Sequence, residues 1–96
     1  MSVLFDTNAL INICRENDVA KLEAFGSTAR GEANDDSDID LLVEFSRRKS
    51  LLALVSVERK MSAALGRRVD LLTEAAISPY LLDSIKRDLR VIYEAR

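Results

Sequence analysis

Ninety-six residues with 48% hydrophobic content predict a single domain over residues 1–96, built on one modest core. Fourteen basic and sixteen acidic residues leave a net charge of −2, so the basic surplus that holds long nucleic acid by its phosphates is missing and such a partner is disfavoured. The chain has no histidine, which excludes His-based triads and His-containing zinc sites and leaves proton transfer or metal binding to Asp, Glu, Lys, Tyr or Ser. The apolar runs are too short to cross a bilayer, the first ten residues lack a basic leader with an apolar block, and the single Cys14 can form no internal disulfide. The expectation is a cytoplasmic protein with no membrane partner.

In chain order the pattern alternates between helical and strand periodicity, which predicts an α/β (α+β) domain with a small sheet packed against helices. Asp6 is placed to cap a first helix over about residues 7–17, with Leu10, Ile11 and Cys14 along one stripe. Residues 20–25 alternate, Leu22 and Ala24 against Lys21 and Glu23, and read as a strand running into Gly26-Ser27. A short helix is expected from Thr28 to about Glu32, then a turn at residues 34–37. Residues 38–45, DIDLLVEF, form the clearest strand. A long amphipathic helix spans residues 50–65, its stripe read as Leu51, Leu54, Val55, Met61 and Leu65, and Gly66 is placed to end it. Residues 67–72 predict a third strand. Ser78-Pro79 opens a helix to about Arg87, whose apolar stripe is expected in the core. Residues 90–94 fit either a last strand or a continuing helix. Val91, Ile92 and Tyr93 in that segment fit a core, a homo-oligomer face or a partner surface equally.

The chemistry concentrates in residues 26–45, GSTARGEANDDSDIDLLVEF. Asp38 and Asp40, two apart on a strand, project from the same face, with Ile39 and Leu41 on the other. Two carboxylates this close raise each other's pKa, and a divalent cation relieves the conflict. All-oxygen ligands suit Mg²⁺, which takes one or two carboxylates and completes its shell with water and substrate phosphate. Two such ions about 3.5–4 Å apart flank an in-line displacement at phosphorus. Asp70, between Val69 and Leu71, is the candidate third carboxylate, ahead of Glu44. Gly26 lets backbone approach a phosphate closely. Ser27 adds a hydroxyl at the start of a short helix, and Arg30, one turn on, can reach phosphate or brace the loop. Ser37 is a turn or cap hydroxyl beside the carboxylates and a further candidate for the nucleotide. Taken singly, Asp-X-Asp is ordinarily a solvated strand start and Gly-Ser a turn. The information lies in the joint pattern of strand, Gly-Ser, ten residues, and Asp-X-Asp on a hydrophobic strand.

That segment resembles the signature of the minimal nucleotidyltransferases, the MNT domains of the DNA polymerase beta-like superfamily, of which kanamycin nucleotidyltransferase is a larger relative. The resemblance covers about residues 8–94, with weaker support from VDLL at 69–72 and from residues 78–88. It implies that Gly26 and Ser27 belong to the nucleotide phosphate site, that Asp38, Asp40 and Asp70 are metal ligands, and that Mg²⁺ (two ions) and ATP are used. It also implies a HEPN-family toxin as partner, with this chain as its antitoxin, and transfer of AMP to a hydroxyl such as a tyrosine of that toxin. A chain this short has little room for an acceptor-holding domain, which suits an acceptor presented by a partner.

Three other readings compete. Residues 3–11, VLFDTNALI, resemble the opening of a PIN-domain ribonuclease with Asp6 as metal ligand, although Asp6 as a helix cap is simpler. A non-catalytic module could neutralise its partner by association alone. Transfer to a small molecule such as an aminoglycoside is disfavoured by the expected lack of an acceptor-binding domain, unless a dimer builds the pocket.

Overall fold

The strand periodicity of the sequence is realised as a four-stranded sheet. The computed structural model describes residues 7–30 and 38–95, the side chains of Ser27 and Arg30 excepted. The element order is α1 (Thr7–Glu16), β1 (Val19–Ala24), α2 (Gly26–Arg30), β2 (Ile39–Phe45), α3 (Leu51–Leu65), β3 (Val69–Leu72), a 3-10 turn (Glu74–Ala76), α4 (Pro79–Arg87) and β4 (Arg90–Glu94). The sheet order is β3-β2-β1-β4, with β2 and β3 parallel and the other neighbours antiparallel. The segment 90–94, open between helix and strand, is thus a strand, and it pairs with β1. The expected cap at Asp6 and the turn hydroxyl Ser37 lie outside the described residues.

Alternation decides which face of the sheet is core. Ile39, Leu41 and Val43 of β2, with Val69 and Leu71 of β3, pack under Leu10 and Cys14 of α1 and Val57 and Met61 of α3. Their partners in the pleat, Asp40 and Glu44 on β2 and Asp70 on β3, fall on the opposite face. In β1 the register against β2 shifts between Val19 and Lys21, so Val19 and Leu22, three apart, are both buried. That bulge is absent from a strict period-2 reading. Burial pushes the Cys14 thiol up to about 11, which keeps it neutral and inert at physiological pH.

The caps of α3 follow the sequence. Ser50 accepts a hydrogen bond from the Ala53 N–H at 3.1 Å, and Gly66 closes the helix in the left-handed region at φ +65°. The expected stripe of α3 needs correction. Val57 and Met61 are its buried residues, whereas Leu51 is 74% exposed. Ser78 caps α4, accepting from the Tyr80 N–H, with Pro79 in the first turn. The expectation that this helix packs into the core fails: α4 buries no residue, and Tyr80 is 93% exposed. The reason is that α1 and α3 already cover the core. The end of α4 instead faces β1 and β2 across an open cleft of about 780 Å³, lined among others by Lys21, Glu44, Glu74, Lys86 and Leu89.

β3 is an edge strand, and α3 seals it. Ser62 Oγ accepts from the Val69 N–H at 3.0 Å, and Glu58 Oε2 accepts from the Leu71 N–H at 2.9 Å. Ser62 and Glu58 are one helical turn apart, so one face of α3 serves two alternate residues of the strand. These bonds hold Asp70, which lies between the two donors. Replacing Glu58 with Ala leaves the Leu71 N–H without its acceptor in a partly buried place. The expected loss of stability is about 1–3 kcal/mol, read from urea unfolding, with Glu58→Gln recovering most of it.

Candidate active site

The parallel pairing of β2 with β3 runs Ile39↔Val69, Asp40↔Asp70, Leu41↔Leu71 and Leu42↔Leu72. Asp40 and Asp70 are therefore direct cross-strand neighbours on the face away from the core. Asp38 stands one residue before β2 rather than within it, since the strand begins at Ile39. The Ile39 N–H donates to the Arg68 carbonyl at 2.9 Å, which continues the pairing back to this point. Arg68 Nε lies 3.9 Å from Asp38 Oδ2 and 3.7 Å from Asp70 Oδ1. Three carboxylates and one guanidinium thus gather where the two strands begin.

Asp40 is the most enclosed of the three. Its carboxyl pKa is raised from the ordinary 3.8 by burial first, then by the charges of Asp70 and Asp38. Its backbone is held from two sides: its N–H donates to Thr28 Oγ1 at 3.0 Å, and its carbonyl accepts from the Phe25 N–H at 3.1 Å. These bonds lay the start of α2 against the start of β2, and so bring Gly26 over the Asp40 carboxylate. Gly26 sits at φ +62°, and a Cβ built there would stand 3.2 Å from Asp40 Oδ2. Glycine is required at this turn both for its backbone angle and for the space beside the carboxylate.

The predicted site residues are therefore placed as follows. Asp38, Asp40, Asp70 and Gly26 converge. Ser27 and Arg30 lie within α2, which begins two residues earlier than expected, at Gly26. Their side chains, and Ser37 altogether, lie outside the described residues. Glu44 is remote, further along β2 and exposed. Two contributors escaped the sequence reading. Arg68 was readable in principle, since it precedes Asp70 by two and shares its parity in an extended chain. Thr28 gave no signal, because its hydroxyl acts on backbone twelve residues away.

The donor set fits a hard divalent cation: carboxylate oxygens alone, mutually repelling, with no side-chain atom on Gly26 to crowd Asp40. Among the described residues no three such side chains are drawn together tightly enough to hold an ion as they stand. Arg68 is the positive charge bridging two of them.

The nucleotidyltransferase domain family matches residues 8–92, and the chain belongs to that family. A Methanocaldococcus jannaschii protein, named as a candidate protein adenylyltransferase, is 45% identical over 76 residues, covering 79% of this chain and 82% of the relative. The protein adenylyltransferase MntA of Thermococcus cleftensis is 38% identical over 71 residues, covering 74% and 72%. Among solved structures, one described as a minimal nucleotidyltransferase superposes with TM-score 0.77 at 34% identity, covering 88% of this chain and 86% of that one. A toxin–antitoxin structure with AMP-PNP gives TM-score 0.80 at 24% identity, covering 95% and 75%. A tri-AMPylated Shewanella oneidensis HEPN toxin in complex with its MNT antitoxin gives 0.71 at 22%, covering 93% and 70%. The last two establish likeness of fold. The family match also removes the ribonuclease reading.

Two outcomes follow from the site. Gly26→Ala forces an L-residue to a positive φ, at about 1–2 kcal/mol, and presses a methyl group on Asp40. It is expected to lower the urea midpoint and metal affinity together. Asp40→Asn removes a carboxylate whose pKa is raised by folding. Such a group favours folding below its unfolded pKa and loses that advantage as pH rises through its folded value, so at pH 7 the ionised form opposes folding. In chelator at pH 7, Asp40→Asn should melt above the wild type, with the difference vanishing as pH falls through the ordinary aspartate range. Thermal scans across pH 3–8 check it.

Proposed function

We propose that this nucleotidyltransferase is a protein adenylyltransferase. It transfers AMP from ATP to a hydroxyl of a HEPN-family toxin and acts in the cytoplasm as the antitoxin of that pair. The observation that carries the reading is the in-register Asp40–Asp70 pair beside Asp38 and under Gly26. Support comes from family membership and from relatives named protein adenylyltransferases. Cys14 is buried and neutral, and among the described residues no helix is long and apolar enough to cross a membrane.

In this reading Asp38, Asp40 and Asp70 hold Mg²⁺, with two ions in the full site. When bound, the metal supplies Lewis-acid stabilisation of the charge at phosphorus and favours loss of the acceptor proton. Gly26 and Ser27 present backbone and hydroxyl to the triphosphate, with Arg30 and Ser37 as further contacts to the nucleotide. Thr28 keeps the Asp40 backbone seated against α2. The acceptor oxygen attacks the α-phosphorus, the bond to pyrophosphate breaks, and pyrophosphate leaves. The hydroxyl proton passes to a carboxylate of the cluster, since the chain holds no histidine to take it.

A second reading, neutralisation by association, is favoured by α4, which exposes Tyr80 and Leu81 and has no fully buried residue. One experiment separates the two: the purified protein, α-labelled ATP, Mg²⁺ and the product of the adjacent gene, beside Asp38→Asn, Asp40→Asn. Label on the partner with wild type, reduced about a hundredfold or more in the variant, is the expected result. Absence of label, with a stable complex formed by both forms, replaces catalysis with binding.

A further inference from the structure

Arg68 has no part in the transfer as described above, yet its position is specific. The strand pairing sets Asp40 against Asp70, and the Ile39 N–H bond to the Arg68 carbonyl extends that pairing back one step. Arg68 therefore stands across from Asp38, and its side chain falls on the carboxylate side of the sheet. Its Nε is within 4 Å of an oxygen of Asp38 and of an oxygen of Asp70, bridging the two strands. The guanidinium is monodentate to each, at the long end of ion-pair distances, and its side chain is 76% exposed. A contact of that kind is weak and reversible. A divalent cation attracts the same oxygens with twice the charge and little flexibility to lose.

We propose that Arg68 is a tethered counter-cation of the carboxylate site: it balances Asp38 and Asp70 when no metal is bound, competes with a divalent cation for them, and so lowers the metal affinity of the site. The inference rests on the reading of Asp38, Asp40 and Asp70 as metal ligands. The competition has two consequences. Without metal, the charge of Arg68 offsets repulsion among three carboxylates that would otherwise oppose the β2–β3 pairing. With metal, the side chain swings toward solvent, which its exposure allows without disturbing the core. Arg68 is a positioning residue acting through the two aspartates. Its removal should separate two properties that a purely structural arginine would move together, lowering metal-free stability while raising metal affinity.

The test uses the full chain and Mn²⁺ alone, with free Mn²⁺ read by electron paramagnetic resonance and melting temperature read with and without the ion. Arg68→Gln is expected to bind Mn²⁺ about three- to tenfold more tightly than wild type, since the ion no longer has to displace an exposed, weakly paired guanidinium from Asp38 and Asp70. The rise in melting temperature on adding saturating Mn²⁺ should be larger for Arg68→Gln than for wild type. Arg68→Lys, which keeps the charge, should stay near wild type. Arg47→Gln, which removes an equal charge beside Asp18, should leave Mn²⁺ affinity unchanged. Wild type that binds Mn²⁺, with Arg68→Gln equal or weaker, overturns the role of Arg68 alone. Equal tightening by Arg47→Gln overturns it too, by showing a net-charge effect. Wild type and Arg68→Gln that both fail to bind Mn²⁺ at millimolar concentration overturn the metal-site reading and this inference with it.

Discussion

The parallel register between β2 and β3 is the constraint on which the site depends. Because side chains alternate faces, a slip of one residue would turn Asp70 into the core and bring Val69 and Leu71 out beside Asp40. Several separate features oppose that slip. Val69 and Leu71 are almost fully buried under α3, and their N–H groups are taken by Ser62 and Glu58 of the same helix. The helix that connects the two strands thus also fixes their alignment. Both the hydrophobic and the polar contacts of α3 serve the placement of a single aspartate.

Having aligned the carboxylates, the fold must tolerate them. Asp40, its carboxyl pKa raised by burial and by the charges of Asp70 and Asp38, works against folding at neutral pH. The structure answers with local devices. Thr28 and Phe25 tie down the backbone on either side of Asp40, Gly26 leaves space beside its carboxylate, and Arg68 supplies positive charge to the other two. Together these hold closely spaced negative charge in place where β2 and β3 begin.

Much of this was legible in the residues. The strand alternation that sets Asp40 and Asp70 on the face away from the core was readable, although β2 begins only after Asp38, and Ser50, Gly66 and Ser78-Pro79 mark helix ends because capping is local chemistry. What stayed hidden depends on neighbours distant in sequence. An amphipathic stripe says that α4 has an apolar face but not that α1 and α3 have already covered the core. The same limit misassigned Leu51 and passed over Val57, since a helix rotates by small angles to meet its partner. The β1 bulge, the 3-10 turn at Glu74–Ala76 and the Thr28 hydroxyl bond have no periodic signature. Segment 90–94 could not be assigned until its partner β1 was known, because short apolar runs suit either state.

The two neighbours of β1 differ greatly in how far along the chain they lie. Ala24 meets Leu41 after 17 residues but Arg90 only after 66, by way of everything between. Closing the longer loop carries the greater entropic penalty, and pairings of high sequence separation form late in folding. The residues of the site, from Gly26 to Asp70, lie wholly inside the earlier-closing part. The carboxylates can thus be brought into register by α1, β1, β2, α3 and β3 before β4 arrives. The alignment of Asp40 with Asp70 thus asks nothing of the last strand.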